Sequence, residues 1–417
     1  MTRWLDAARR FLRGIWFRAT AFAVGGIVLA VAAHLLSAAL PDDLAIELGQ
    51  ESVSTILQII ATSMLAVTTF SLTAMVSAYA SATQSGTPRS TQLLIGDRTS
   101  QNALATFVGA FAYSIVGIIA LSLQVLSDSG RTLLFLGTLL VIAIVLWTLL
   151  RWIAFLTRFG RMSDVIDRVE QAAGDAARAY AQDPRLGAAA WVEPPAAATP
   201  IGADETGFVV HVDVWALQRL AERGDCRIWV NRRAGSRVTD DTPLAFVGGE
   251  VSAALREHIQ RAFVVAGHRS FDQDPRIGLI ALSEVASRAL SPGINDPGTA
   301  IEVLVATHRV LSAVMAAEKD AAVTRPRVHL PLLDPQDLVV DAFRPIARDG
   351  AGLVEVAMRV QRELGALIAA AHGAWAGALR RQAVEAHERA MAALELETDR
   401  REVTRLHEAA MSAASER

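Results

Sequence analysis

The feature that most constrains this chain is residues 54–80, which read STILQIIATSMLAVTTFSLTAMVSAYA and contain no charged side chain. As a helix, a stretch of this length crosses the roughly 30 Å hydrocarbon layer of a bilayer. Water-soluble folds seldom contain an uncharged segment this long, so the stretch predicts a membrane span, and the lipid bilayer is the first partner of the chain.

This span also has an unusually polar face. On a helix that turns about 100° per residue, its small and polar side chains fall on one stripe. Gln58 is the most informative of them, because an amide that faced lipid would cost several kcal/mol. The stripe comprises Thr55, Gln58, Thr62, Ala66, Thr69, Thr73 and Ser77, with Leu65 at one margin.

Two interpretations of the stripe are open. Hydroxyl and amide groups can line a water-filled pathway in an oligomer, and the narrowest point of such a pathway would lie near Leu65 and Ala66. Alternatively, small residues at helical spacing let neighbouring helices pack closely, and their hydroxyls then bond across the contact or back to their own helix. The sequence therefore predicts either a pore lining or a packing seam.

Three further apolar segments accompany this one, so we predict four spans at about 19–40, 54–80, 103–126 and 132–150. Arginines precede the first span, lie within the 83–101 connection and follow the fourth span. The connection between the first two spans is instead acidic. By the positive-inside rule, both termini are cytoplasmic. The acidic residues would then attract cations at the outer mouth of a pore: Asp42, Asp43, Glu47 and Glu51.

The remainder of the chain predicts a cytosolic α+β domain after the transmembrane region 1–160. An amphipathic helix and an Ala/Pro-rich linker occupy 161–203, and strand patterns at 204–249 predict a small unit resembling a β-barrel or sandwich. A helical part follows at 250–348, and the proline-free C-terminal segment 349–417 favours long helices. The fold class is thus a mainly α polytopic membrane protein.

The most unusual cytosolic stretch is SPGINDP, residues 291–297. Asp274-Pro275 and Asp296-Pro297 each place an N-cap carboxylate before a proline at the first helical position, which predicts helices at about 275–290 and 297–316. The same region could instead form an anion-binding pocket. The candidate ligand-binding residues are Arg269, Asp272, Arg288, Asn295 and Asp296.

RALSPGINDPGTA (288–300), the DP-x-x-G of Asp274, Pro275 and Gly278, and TPRSTQLLIGDRTSQNALATFVGAFAY after the second span together resemble a bacterial membrane family, domain of unknown function 2254. The resemblance covers nearly the whole chain. Thr87 and Gly298 depart mildly from the family pattern. The resemblance implies a multi-pass protein of the bacterial inner membrane and supplies no activity.

Composition excludes several classes of function. The net charge of −3 gives no electrostatic basis for a nucleic-acid partner. Cys226 is the only cysteine and Lys319 the only lysine, which excludes an internal disulfide, a thiolate metal cluster and a phosphate-loop lysine. We find no catalytic motif and no metal-ligand spacing, and expect no cofactor. The sequence favours a homo-oligomeric, cation-leaning channel with a regulatory cytosolic domain. The alternative is a membrane-anchored sensor or scaffold.

Overall fold

A computed structural model describes residues 50–85, 87–95, 98–123, 128–157, 159, 161–317 and 322–412, with the single positions 20, 24, 25 and 28. The chain divides into two compact units, one formed by residues 1–84 and 92–161 and the other by 85–91 and 162–417. Apart from those four positions, which are helical, the predicted span 19–40 lies outside the described residues, as do Asp42, Asp43 and Glu47.

Long apolar helices form the described part of the first unit. They are α1 (Gln50–Ser85), α3 (Arg98–Ser122) and α4 (Asp128–Leu156), and the short helix α2 (Pro88–Ile95) follows α1. Segments Glu51–Ser81, Thr99–Ser122 and Gly130–Leu156 are each long and apolar enough to cross a membrane. The structure therefore has helices at three of the four predicted spans.

The three membrane helices pack against one another through apolar side chains. Leu57 of α1 lies in an apolar cluster with Leu121 of α3 and Leu134 of α4. The Tyr113 hydroxyl on α3 donates to the carbonyl oxygen of Leu134 at 3.1 Å, and this bond ties α3 to α4. Buried hydroxyls in a bilayer need such partners because water is absent. Side chains on the opposite face of α1, among them Gln58, Thr62 and Thr69, are exposed.

The second unit is built from helices around two sheets. Its helices are α5 (Met162–Gln182), α6 (Val214–Arg223), α7 (Ala253–Arg261), α8 (Pro275–Ala289), α9 (Pro297–Met315), α10 (Pro335–Asp349), α11 (Val354–Ala370), α12 (Ala374–Ala393) and α13 (Glu397–Ser412). Helices α8 and α9 begin at Pro275 and Pro297, each capped by the preceding aspartate. The two helices predicted from the Asp-Pro pairs are confirmed.

Helix α9 is also long and apolar enough to cross a membrane. Its apolar side chains, however, are already buried: Val303, Leu304 and Val310 are no more than 1% exposed. Helix α9 packs against α5, α8 and α11 within the second unit. Since burial in protein satisfies these side chains as well as lipid would, α9 is a core helix of the second unit.

The strands are β1 (Ala188–Ala190), β2 (Thr199–Gly202), β3 (Gly207–Val212), β4 (Arg227–Val230), β5 (Arg237–Val238), β6 (Pro243–Gly248), β7 (Phe263–Ala266) and β8 (Arg325–Leu330). They form a five-stranded sheet in the order β1-β8-β4-β6-β2 and a three-stranded sheet in the order β5-β3-β7. Both sheets contribute to one apolar core that includes Ile201, Val209, Ile228 and Val328.

Of the two predicted forms of the β unit, barrel or sandwich, the barrel is wrong, because the described strands form two open sheets. The sequence pattern at 204–249 misses the inner strand β8, which lies within the segment predicted to be helical. Strand β8 pairs in parallel with β1, where Ala188 faces Arg325, and with β4, where Ile228 faces Val328. Strand β8 comes from much later in the chain and lies between β1 and β4. The strands of 204–249 therefore do not form a closed barrel by themselves.

Candidate functional site

The predicted stripe of α1 lies on one exposed face of the helix. The opposite side of α1 packs into the first unit through Leu57, Ile60 and Met64. In the first unit, the exposed side chains on this face include Thr55, Gln58, Thr62, Leu65, Ala66, Thr69, Thr73 and Ser77. The structure therefore brings the predicted lining residues together, and we call this surface the polar face of α1.

The threonine hydroxyls of the polar face bond back to their own helix. Thr55 donates to the carbonyl of Glu51 at 2.7 Å, Thr62 to that of Gln58 at 2.9 Å and Thr69 to that of Leu65 at 2.9 Å. Each hydroxyl hydrogen is thereby engaged in a hydrogen bond. The lone pairs of each hydroxyl oxygen can still accept a hydrogen bond or contact a cation. The polar face consequently presents acceptors outward.

Gln58 is the most polar side chain of the face. Its Nε2 donates to the hydroxyl of Ser54 at 3.3 Å, one turn earlier. An amide has two donor hydrogens and an acceptor oxygen, so this single bond leaves most of its capacity available. Exposed apolar side chains accompany these polar ones: Ile59 lies within the face, and Phe70 and Leu72 flank it. Among the predicted outer-mouth residues, only Glu51 is described, and it is exposed in the first turn of α1.

The SPGINDP turn is organised by helix capping. Asp296 accepts from the backbone N–H of Thr299 at 3.1 Å and from its hydroxyl at 2.6 Å. The bond from the Thr299 hydroxyl is the main reason that the pKa of the Asp296 carboxyl lies below its usual range. Asn295 is exposed with a φ of +51°, a left-handed conformation that asparagine tolerates well. Capping and turn geometry account for both residues.

The other predicted ligand-binding residues lie elsewhere. Arg269 donates through Nε to Asp274 at 2.7 Å, before the first residue of α8, and Asp272 accepts from the hydroxyl of Ser270 at 2.9 Å. Arg288 lies in the last turn of α8. Helix α8 has 15 residues, so its ends are about 22 Å apart. Arg269 and Asp272 are thus separated from Asn295 and Asp296, and the predicted set does not form one pocket.

The structure reveals a cavity that the sequence interpretation missed. It has a volume of about 50 Å³ and lies between α5, the ends of β3 and β8, and the loops that follow α5 and β4. Its polar lining residues are Tyr180, Asp183, Arg233, Asp272 and Gln273. We call it the Arg233 cavity. Only Asp272 belonged to the predicted ligand-binding set.

Arg233 has an unusual environment. Its Nη1 donates to the carbonyl oxygens of Pro184, at 3.0 Å, and Pro331. Its guanidinium carbon lies 5.5 Å from the centroid of the Tyr180 ring, in cation–π range. Among the described residues, no carboxylate oxygen lies within the 4.0 Å of an ion pair with Arg233. Burial is the main cause that lowers the pKa of the Arg233 guanidinium.

Comparison with known proteins places the chain among membrane proteins. A family profile described as "Predicted membrane protein (DUF2254)" matches residues 13–366. An uncharacterized protein of Mycobacterium bovis and one of Mycobacterium tuberculosis are each 32% identical over 117 residues, which is 27% of this chain and 22% of each relative. The match thus spans less than a quarter of the length of these relatives. No solved structure matches the chain.

Proposed function

Starting from the fact that this chain belongs to the DUF2254 family of predicted membrane proteins, we propose that it forms a homo-oligomeric, channel-like ion transport protein. In this proposal, the polar faces of α1 from several copies surround the pathway, and the second unit is a cytosolic regulatory domain. The protein is a multi-pass protein of the bacterial inner membrane with both termini in the cytoplasm.

The observation that supports this proposal is the exposed polar face of α1. If the face met lipid, the amide of Gln58 would remain largely unpaired at a cost of several kcal/mol. A closed ring of copies removes that cost, because each α1 then directs its polar face toward a water-filled axis. Since every copy contributes an equivalent helix, a closed cyclic assembly is the arrangement that forms a pore.

The chemistry of the face favours cations. Threonine hydroxyls that bond back to their own helix present oxygen lone pairs to the axis. Glu51 adds a carboxylate at the N-terminal end of α1. Leu65, which is 55% exposed, and Ala66 interrupt the hydroxyls and form the proposed constriction, where a narrow apolar ring gates by dewetting.

Cross-linking between copies tests the assembly. Cys226 is buried, so a single introduced cysteine reports on its own position. Thr62→Cys lies at the centre of the polar face, and we expect oxidation to link two copies in the membrane. Leu140→Cys, on the exposed surface of α4, is the matched control and should remain monomeric on a denaturing gel. Equal cross-linking at both positions, or none at Thr62→Cys, would contradict a ring centred on α1.

A second candidate function is a membrane-anchored sensor or scaffold. The Arg233 cavity favours it, because a partly buried cation beside an open volume is suited to a ligand. In that case, the polar face of α1 is a packing seam between copies. Thr62→Val should then weaken association, by about 0.6 kcal/mol as is typical of a membrane hydrogen bond, without affecting ion permeability.

A further inference from the structure

We propose that residues 87–91 form a latch through which the second unit holds the C-terminal end of α1, and that an ion pair between Arg89 and Glu284 keeps this latch closed. The latch gives the regulatory second unit a physical route to α1, and in that respect it rests on the proposed function. Its test involves no ion flux, so the latch and the channel can fail separately.

The course of the chain makes the connection. Helix α1 ends at Ser85, and residues 85–91 belong to the second unit, whereas the residues up to 84 and from 92 to 161 belong to the first. A single residue lies between Ser85 and Thr87. A displacement of the latch therefore displaces the last turn of α1 as well.

The latch is a tightly bonded turn. The backbone N–H of Ser90 donates to the hydroxyl of Thr87 at 3.4 Å, and the backbone N–H of Thr87 donates to the hydroxyl of Ser90 at 2.9 Å. These reciprocal bonds at the start of α2 have the form of a capping box. The hydroxyl of Thr91 donates to the carbonyl of Thr87 at 3.1 Å, and all three side chains are buried. Such a turn keeps its shape and moves as one body.

The ion pair fastens this turn to α8. Arg89 lies in the first turn of α2, and its Nη1 contacts Oε1 of Glu284. The other carboxylate oxygen of Glu284, Oε2, is buried and has no hydrogen-bond partner among the described residues. Loss of the arginine alone would leave this partly buried carboxylate without its counter-charge. That loss is more disruptive than the removal of both charges together.

The pair is also weak enough to open. The side chains of Arg89 and Glu284 are 45% and 31% exposed, so water and salt screen their attraction. Ion pairs of this kind shift an equilibrium by up to about fivefold. A small change in the second unit can therefore release the turn, whereas a fully buried joint would hold it permanently.

Hydrogen exchange of the purified full-length protein in detergent measures whether the latch is closed. In Glu284→Gln, the backbone amides of residues 87–91 should exchange up to about fivefold faster than in the wild type. Arg89→Gln should accelerate them more, because Glu284 then stays charged. Adding Glu284→Gln to Arg89→Gln should return the rate to that of Glu284→Gln alone, as expected for two residues that interact directly.

Glu385→Gln is the matched control. Glu385 pairs with Arg344 of α10 in the same unit, and their side chains are 29% and 47% exposed, nearly as in the latch pair. Its loss should leave the amides of residues 87–91 unchanged.

A spin label on α1 tests whether opening the latch reaches the helix. Cys226 is buried, so Ser77→Cys on the polar face can be labelled selectively, about two turns before Ser85. Glu284→Gln should increase the mobility of this label in the electron paramagnetic resonance spectrum, and Glu385→Gln should not. A label at Leu140→Cys, on the exposed surface of α4, should respond to neither change.

Three outcomes would overturn the proposal. The first is equal exchange of residues 87–91 in the wild type, Glu284→Gln and Arg89→Gln. The second is faster exchange with no change in the label at Ser77→Cys, which would show a purely structural ion pair. The third is an equal effect of Glu385→Gln. If Arg89→Gln does not fold, Glu284→Gln against Glu385→Gln decides the question.

Discussion

Gly278 provides the sharpest test of the packing in the second unit. It lies on α8 where that helix crosses α5, and a Cβ added at position 278 would be 2.2 Å from Cβ and 2.9 Å from Cα of Ala173. Carbon atoms in contact are normally about 3.5–4.0 Å apart. Because both Ala173 atoms are fixed to the backbone, no rotamer change relieves the overlap, and Gly278→Ala must push the two helices apart by about 1.5 Å.

The expected cost follows from this geometry. Overpacking of a well-packed core costs up to about 3 kcal/mol, and alanine regains about 1 kcal/mol in helix propensity over glycine. We therefore expect Gly278→Ala to lower the free energy of unfolding of the second unit by about 2 kcal/mol. Urea unfolding of the full-length protein in detergent, followed by tryptophan fluorescence, measures this change.

Gly293→Ala is the matched control for this experiment. A Cβ at position 293 meets nothing within 4 Å, and the glycine does not require a positive φ. Its variant should unfold within about 0.5 kcal/mol of the wild type, as surface substitutions usually do. If Gly278→Ala is as stable as Gly293→Ala, the close approach of α5 and α8 is wrong.

The remaining predictions concern capping, pH and topology. Asp296→Ala should cost about 1 kcal/mol of stability as a lost N-cap, whereas Asn295→Gly should be neutral or stabilising because glycine accepts the φ of +51°; loss of stability in Asn295→Gly would argue against the capping interpretation. His407 has a lowered pKa, first through burial and then through His387, whose ring is stacked on it with centroids 4.5 Å apart. The unfolded chain therefore binds more protons, so stability should fall as the pH drops below the usual value of 6.5. His407→Gln should flatten this dependence of the unfolding midpoint, and an unchanged slope would refute the assignment. Finally, a reporter enzyme that works only in the cytoplasm should be active when it is fused after Arg161. Activity of a periplasm-specific reporter at the same position would contradict the proposed orientation.

Features encoded by neighbouring residues could be predicted from the sequence. Each Asp-Pro pair combines a capping carboxylate with a residue that suits the first helical turn, and α8 and α9 begin at Pro275 and Pro297 as expected. The stripe on the second predicted span likewise depends only on helical periodicity. The structure places its members on one exposed face, and the partner of that face is not encoded locally.

Features that depend on distant residues could not be predicted. The pairing of Ala188 with Arg325 joins strands that are separated by about half of the second unit, and no local pattern marks them as partners. Arg233 is equally inconspicuous, because it follows Arg232 in the sequence and only the fold places it over the ring of Tyr180. Hydropathy alone also does not distinguish core helix α9 from a membrane span.

Ion flux through reconstituted vesicles tests most directly whether the polar face of α1 lines a pathway. Leu65→Ser should wet the proposed constriction and raise cation leak above that of the wild type, and added salt should weaken the cation preference by screening Glu51. Leu140→Ser, on the exposed surface of α4, should leave the leak unchanged. Wild-type and Leu65→Ser vesicles that remain equally and fully tight at all tested voltages and pH values would contradict the channel.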